Sequence, residues 1–220
     1  MQEVLITHIR CGIANCYLLT GGSGSVLIDA CGRSDVPDLY KKVKDQNVRL
    51  IVLTHGHPDH IGATAELAKR LCVPVAMSEQ DAELLKNPVS RALYAHTVCG
   101  KLLKLATKSI MGKGKCASIR PDIWLRDGQS LKEYGINAKV AVLPGHTRGS
   151  IGIVTGDGDF FVGDAAFNIL RPSGSLVYEN LAQMEQSLDV ILRSGAKMLY
   201  PGHGKPFPIE KLTHPGDGRL

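Results

Sequence analysis

The chain has 220 residues, with 26 Lys+Arg against 21 Asp+Glu and a formal net charge of +5. Hydrophobic residues make up 44% and aromatic ones only 5%, so a substantial, mainly aliphatic core is available to one large domain or two small ones. No run of about 18 apolar residues occurs, which excludes a transmembrane helix. Met1 to Ile6 lacks the basic segment, apolar stretch and small-residue cleavage site of an export signal, so a cytoplasmic location is expected.

In chain order, strands are expected over Val4–Ile9, Ala14–Thr20 and Ser25–Ile28, the last two joined by a Gly21-Gly22-Ser23-Gly24 turn. A helix follows over Val36–Asp45, then a strand over Leu50–Leu53. Ile61–Leu71 reads as a helix stopped before Val73-Pro74, Val75–Met77 as a short strand and Glu79–Lys86 as a short helix. After a basic middle region, strands resume near Ala138, Ser150 and Asp159. Leu181, Met184, Leu188, Ile191 and Leu192 recur at helical spacing, with Gly195 closing that helix. Met198–Tyr200 reads as the last strand, and the tail His214–Leu220 as frayed.

The stretch His55-Gly56-His57-Pro58-Asp59-His60 puts four potential metal ligands within six residues. Packing alone does not call for such a cluster, whereas one borderline metal ion, or two, does. Three later segments match it. Val140–Leu143 runs into Pro144-Gly145-His146, Phe160–Gly163 into Asp164, and Met198–Tyr200 into Pro201-Gly202-His203. Each is an apolar run ending in a turn that bears His or Asp. Strand ends of a layered α/β domain gather at one edge, where ligand sites form. His55, His57, Asp59, His60, His146, Asp164 and His203 are therefore expected together. Gly56, Gly145, Gly163 and Gly202 permit the close approach.

In order and spacing these motifs resemble the metallo-β-lactamase superfamily, from the strands near residue 4 to about Phe207. The resemblance implies an α/β (α+β) fold, a four-layer αββα sandwich forming a single domain over residues 1–220, with two divalent metal ions at one edge. By that resemblance His55, His57 and His146 bind the first ion, Asp59, His60 and His203 the second, and Asp164 bridges them. Zinc is the expected metal, and iron or manganese would accept the same donors. Asp29, ending Val26-Leu27-Ile28, resembles the outer carboxylate that orients ligands in this family. The implied chemistry is hydrolysis by a metal-bridged hydroxide, with Asp59 binding metal and steering the water.

Phe167, Asn168 and Arg171, just after Asp164, are expected to line the substrate pocket. Asp164 stands where one β-lactamase branch places Cys, so the set looks more like the glyoxalase II-like thioesterase and lactonase branches. The expected substrate is a small molecule with an ester-like bond, a thioester or lactone. The two-domain glyoxalase II adds a helical substrate domain, which is not expected here because the chain ends soon after His203. Two alternatives stay open: a mononuclear-iron persulfide dioxygenase-like oxidoreductase and a β-lactamase-type amide hydrolase.

Between Leu84 and Pro121 stand eight basic residues and no acidic one, leaving 18 basic against 21 acidic elsewhere, so the positive charge is local. Lys101, Lys104 and Lys108 share one helical face, while Leu102, Leu103, Ala106 and Ile110 fall largely on the other. Residues 84–121 read as a helical, lid-like insertion. It is open to three uses: a solvated face, a lid favouring anionic substrates, or a membrane or partner surface. Gly112-Lys113-Gly114-Lys115 offers a hinge or a plain loop. Interleaved aromatics are lacking, so no nucleic-acid partner is expected. Oligomeric state is not set by the sequence.

Cys11, Cys16, Cys31, Cys72, Cys99 and Cys116 contain no Cys-x-x-Cys pair and are expected to be free thiols, mostly buried. A Cys11–Cys16 disulfide is the less favoured alternative, and cysteine-bound zinc is less favoured still. His8, His96 and His214 read as structural or solvated, with His96 the one a lid would bring near substrate. Tyr178 either offers a pocket hydroxyl or begins the following helix.

Overall fold

The computed structural model describes residues 3–111 and 119–213, the side chains of 106–111 excepted. The first half builds one mixed sheet. Its elements are β1 (Leu5–Cys11), β2 (Ala14–Thr20), β3 (Ser25–Ile28), α1 (Val36–Val43), β4 (Val48–Val52), α2 (Pro58–Ile61), α3 (Thr64–Leu71), β5 (Val75–Met77), α4 (Ala82–Lys86), α5 (Val98–Met111) and β6 (Ile123–Trp124). The strands stand in chain order, β1 to β6. β1, β2 and β3 pair antiparallel, while β3, β4, β5 and β6 pair parallel.

The second half supplies β7 (Ala138–Val142), β8 (Ile151–Thr155), β9 (Asp159–Gly163), β10 (Ala166–Asn168), β11 (Pro172–Gly174), α6 (Leu181–Arg193), β12 (Met198–Pro201) and β13 (Phe207–Pro208). A second sheet has the order β13-β12-β9-β8-β7, and β10-β11 forms a separate ribbon.

Side-chain alternation sorts the core into three spaces. Val26 and Ile28 of β3, with Leu50 and Val52 of β4, point to one face and meet Val140, Ile153 and Phe161 of the second sheet. Leu27 and Ile51 point to the other face, against Leu39 and Val43 of α1 and Leu67 of α3. On the far side, Phe160 and Val162 of β9 pack on Leu188 and Ile191 of α6. The result is helix, sheet, sheet, helix, the four-layer arrangement expected. Each such fully buried aliphatic side chain contributes about 1.5–3 kcal/mol relative to exposure. Among the described residues no helix is long and apolar enough to cross a membrane.

Several expectations need correction. The helix expected from Ile61 to Leu71 is two pieces: α2 begins on Pro58 inside the motif, and α3 starts at Thr64. Pro58 occupies the first helical turn, where its missing N–H costs nothing. Met198–Tyr200 is not the last strand, because β13 turns back antiparallel on β12. Among its described side chains α5 does not divide cleanly into a basic and an apolar face. Val98, Leu102 and Leu105 are exposed, the last two at 63% and 69%. Lys104 lies over the Tyr94 ring, 5.6 Å from its centroid. The side chains of Ala106, Lys108 and Ile110, the 112–115 hinge, Cys116 and the 214–220 tail lie outside the described residues. The thiol expectation also fails in part. Cys11 and Cys31 form a disulfide, while Cys72 and Cys99 are exposed thiols and Cys16 a buried one. The register Cys11↔Ala14 and the loop after β3 bring Cys11 and Cys31 within 5.9 Å, Cα to Cα, a span a disulfide bridges.

Candidate metal centre

Parallel strands β3 and β4 end side by side, and so do β9 and β12. All seven expected side chains meet beyond these ends. Candidate ligand atoms of His55, His57 and His146 form one group, and those of Asp59, His60 and His203 form another. Asp164 stands between them. Its carboxylate is 3.5 Å from His146 Nε2 and 3.9 Å from His55 Nε2 on one side. On the other it is 3.4 Å from both His60 Nε2 and His203 Nε2. Asp59 Oδ2 lies 3.2 Å from His203 Nε2 and 3.8 Å from His60 Nε2. His57 Nδ1 and His146 Nε2 are 3.0 Å apart.

Outer hydrogen bonds decide which imidazole nitrogen faces inward. His60 Nδ1 donates to Asp29 Oδ2 at 2.8 Å. His146 Nδ1 donates to Val177 O, and His203 Nδ1 to Ile13 O, both at 2.8 Å. Thr54 Oγ1 gives its proton to Asp29, so it accepts from His55 Nδ1 at 3.0 Å. In all four rings Nε2 is the nitrogen aimed at the cluster. His55 Nε2 and Asp164 Oδ1 are buried with no hydrogen-bond partner. Orphaned buried acceptors are costly, and a cation would satisfy them. The nitrogen and carboxylate donors thus fit divalent ions.

The titration of these groups reflects the same crowding. Burial, reinforced by neighbouring imidazoles, drives His55 well below its ordinary value and His57 down to about 3. Burial opposes charge on His60 too, but Asp164, Asp59 and Asp29 outweigh it and lift His60 to about 9. His203 is raised against burial by Asp164 and Asp59. Both carboxylates are held below the usual range, because these cations outweigh their burial.

Backbone contacts fix the turns. A Cβ on Gly202 would collide with Asp164 Oδ1 and lie 2.7 Å from His60 Cε1. Asn15 clamps the His203 turn, its Nδ2 donating to Pro201 O and Gly204 O. Tyr17 Oη also donates to Pro201 O, and His8, structural as expected, bonds Asn15. Asp81 is fully buried and accepts from Gly56 N, Gly149 N, Thr147 Oγ1 and Arg91, tying together the two loops that carry His55 and His146.

A cavity of about 670 Å³ opens above the cluster. His57, Asp59, His146, Asp164 and His203 form its floor, and Ile13, Leu93, Leu103, Phe167, Ile169 and Val177 contribute apolar walls. Phe167 and Asn168 line this cavity. Arg171 does not: it is exposed in the turn between β10 and β11. The cations that do line it are Arg10 and Lys205, which the sequence reading missed, and no described basic residue of the middle segment joins them. Tyr178 turns from the cavity, its hydroxyl 3.0 Å from His96 Nδ1, and α6 begins beyond it at Leu181.

A family model of the metallo-beta-lactamase superfamily matches residues 9–203. The chain belongs to the metallo-beta-lactamase superfamily. Metallo-beta-lactamase-fold proteins are mostly metal-dependent hydrolases, and the His/Asp cluster suits that class. Beta-lactamase-like protein 2 homolog from Drosophila melanogaster is 28% identical over 211 residues, covering 91% of this chain and 62% of that protein. Hydroxyacylglutathione hydrolase GloC from Haemophilus influenzae is 28% identical over 159 residues, covering 70% of this chain and 66% of that protein. The chain thus spans less than two thirds of either relative's length. Among solved structures, BLEG-1 B3 metallo-beta-lactamase aligns with a TM-score of 0.74 at 20% identity, covering 94% of this chain and 95% of that one. TTHA1623 in a di-iron-bound form aligns at 0.67 with 23% identity, covering 94% and 95%. These likenesses establish the shared metallo-beta-lactamase fold.

Proposed function

We propose that the chain is a metal-dependent hydrolase that cleaves a small ester-like bond, a thioester or lactone, at the floor of this cavity. The observation that carries the reading is the convergence of inward-facing imidazole nitrogens around Asp164, with His55 Nε2 and Asp164 Oδ1 buried and without a partner. His55, His57 and His146 would hold one ion, and Asp59, His60 and His203 a second, with Asp164 shared. Zinc suits these donors, as do iron and manganese. Bound divalent ions supply Lewis acidity, making water nucleophilic near neutral pH and polarising a carbonyl.

The chain's own side chains supply the rest. Asp59 is partly exposed to the cavity. Its carboxylate accepts a hydrogen bond from the attacking water and takes up its proton. Ile13, Leu93, Leu103, Phe167 and Val177 exclude solvent and hold the acyl portion. Arg10 and Lys205 meet an anionic end of the substrate. The relationship to a hydroxyacylglutathione hydrolase supports the thioester side of the reading.

The test is turnover of lactoylglutathione and a panel of acyl-lactones by metal-loaded protein, with metal analysis of the same sample. Hydrolysis of one class above the metal-free level, with two ions per chain, is expected. No turnover of either class would remove the substrate assignment. A single iron per chain, with oxygen uptake on glutathione persulfide, would replace hydrolysis by oxidation.

A further inference from the structure

Three sulfurs join the β1–β2 hairpin to the loop after β3. Cys11 ends β1, Cys16 lies in β2, and Cys31 follows Asp29 by two residues. Cys11 and Cys31 are bonded, and Cys16 Sγ lies 2.7 Å from Cys31 Sγ. Cys16 and Cys31 are fully buried, and Cys11 is 9% exposed. Cys16 thus stands directly beside the bonded pair, three sulfurs in one buried cluster.

Each segment the sulfurs join carries a support of the metal centre. The hairpin tip presents Ile13 O to His203 Nδ1 at 2.8 Å. The loop presents Asp29 to His60 Nδ1 at 2.8 Å, and its Ala30 N donates to His60 O. The Cys11–Cys31 bond therefore links the outer partners of His203 and His60.

We propose that Cys11, Cys16 and Cys31 form a thiol–disulfide exchange site that holds or releases the His60–His203 half of the centre. Its effect on ions rests on the metal-centre reading, whereas the sulfur chemistry stands without it. In the internal step, the Cys16 thiolate attacks Cys31 Sγ. A Cys16–Cys31 bond forms, the Cys11–Cys31 bond breaks, and Cys11 leaves with the electron pair and takes up a proton. No net oxidation occurs. In the external step, a small-molecule dithiol attacks Cys11, the least buried of the three residues, and Cys31 leaves as thiolate. The dithiol's second sulfur then closes on its first, which frees Cys11. Two electrons pass to the protein sulfurs, and Cys11 and Cys31 each take a proton. Burial raises the Cys16 thiol well above its ordinary value, so the internal step is slow at neutral pH. The external step frees the hairpin from its covalent tie, whereas the internal step moves that tie from Cys11 to Cys16.

The full chain is prepared oxidised with glutathione disulfide, and reduced with dithiothreitol then freed of reagent without air. Free thiols are blocked with iodoacetamide, disulfides are mapped by mass spectrometry, and zinc is titrated into both unblocked forms. A Cys11–Cys31 peptide with a minor Cys16–Cys31 one is expected after oxidation, together with second-ion affinity weaker by about tenfold or more in the reduced form. Cys16→Ser should remove the minor peptide and keep the major one. No disulfide among the three cysteines, or equal second-ion affinity in both forms, would overturn the proposal. Absence of zinc binding in both forms would remove the metal reading and the control of His60 and His203, while the mapping would still judge the exchange site.

Discussion

Asp29 adopts φ 59°, a left-handed conformation that costs a non-glycine residue about 1 kcal/mol or more. From there its two oxygens accept from Thr54 N, Thr54 Oγ1 and His60 Nδ1, each at 2.8 Å. It thereby fixes the tautomer of His60 directly and that of His55 through Thr54. Asp29→Ala should leave the fold intact by circular dichroism and weaken zinc binding about 10–100-fold in a competitive titration. Unchanged affinity would show that packing alone sets the two rings. The seven cluster residues were legible in sequence because each sits in a short local pattern at a strand end. Asn15, Tyr17, Asp81, Arg10 and Lys205 were not. Asn15 bonds a turn 186 residues away, and that pairing exists only once β2 lies beside the second sheet.

The segment between α4 and α5 is held at one point above all. Arg91, with its side chain 9% exposed, reaches Asp81 at 2.7 Å and Glu179 at 2.9 Å. Tyr94 then exchanges backbone hydrogen bonds with Tyr178, which leads Leu93 and Leu103 to the cavity wall. Removing one partner of a buried pair costs about 3–5 kcal/mol. Asp81 keeps its other donors, and burial already raises Glu179 against the pull of Arg91, so that carboxyl can shed its charge. Arg91→Ala should therefore cost about 3 kcal/mol by urea denaturation, the lower end of that range. A loss below about 1 kcal/mol, the worth of an exposed pair, would deny the clasp. This element also shows the limit of periodicity. It located α5 and set Leu102 and Leu103 on one face, yet Leu103 packs on the cavity while Leu102 stays exposed, and only the packed neighbours decide that.

Across the whole molecule the donors come from chain segments as far apart as His55 and His203, so ions would bind the folded chain far better than the unfolded one. Protonation competes with them. Without metal, His57 titrates near 3 rather than 6.5, so the unfolded chain binds more protons between those values and stability rises with pH across that window. His60 is raised to about 9, so its contribution is complete below 6.5 and fades as pH climbs toward 9. His203 acts in the same direction. Metal-free protein should accordingly show its highest melting temperature near pH 6.5. Bound ions would replace the protons on His60 and His203, so binding must release protons, and it becomes easier as pH rises. At a free zinc concentration 100 times Kd the added stability is about 2.7 kcal/mol, or roughly 5–11 °C for a chain of this size. That increment should grow from pH 6 to pH 9 at fixed zinc, as read from paired melting curves with and without chelator. An increment that is constant or shrinks over this range would mean that His60 and His203 do not exchange protons for metal.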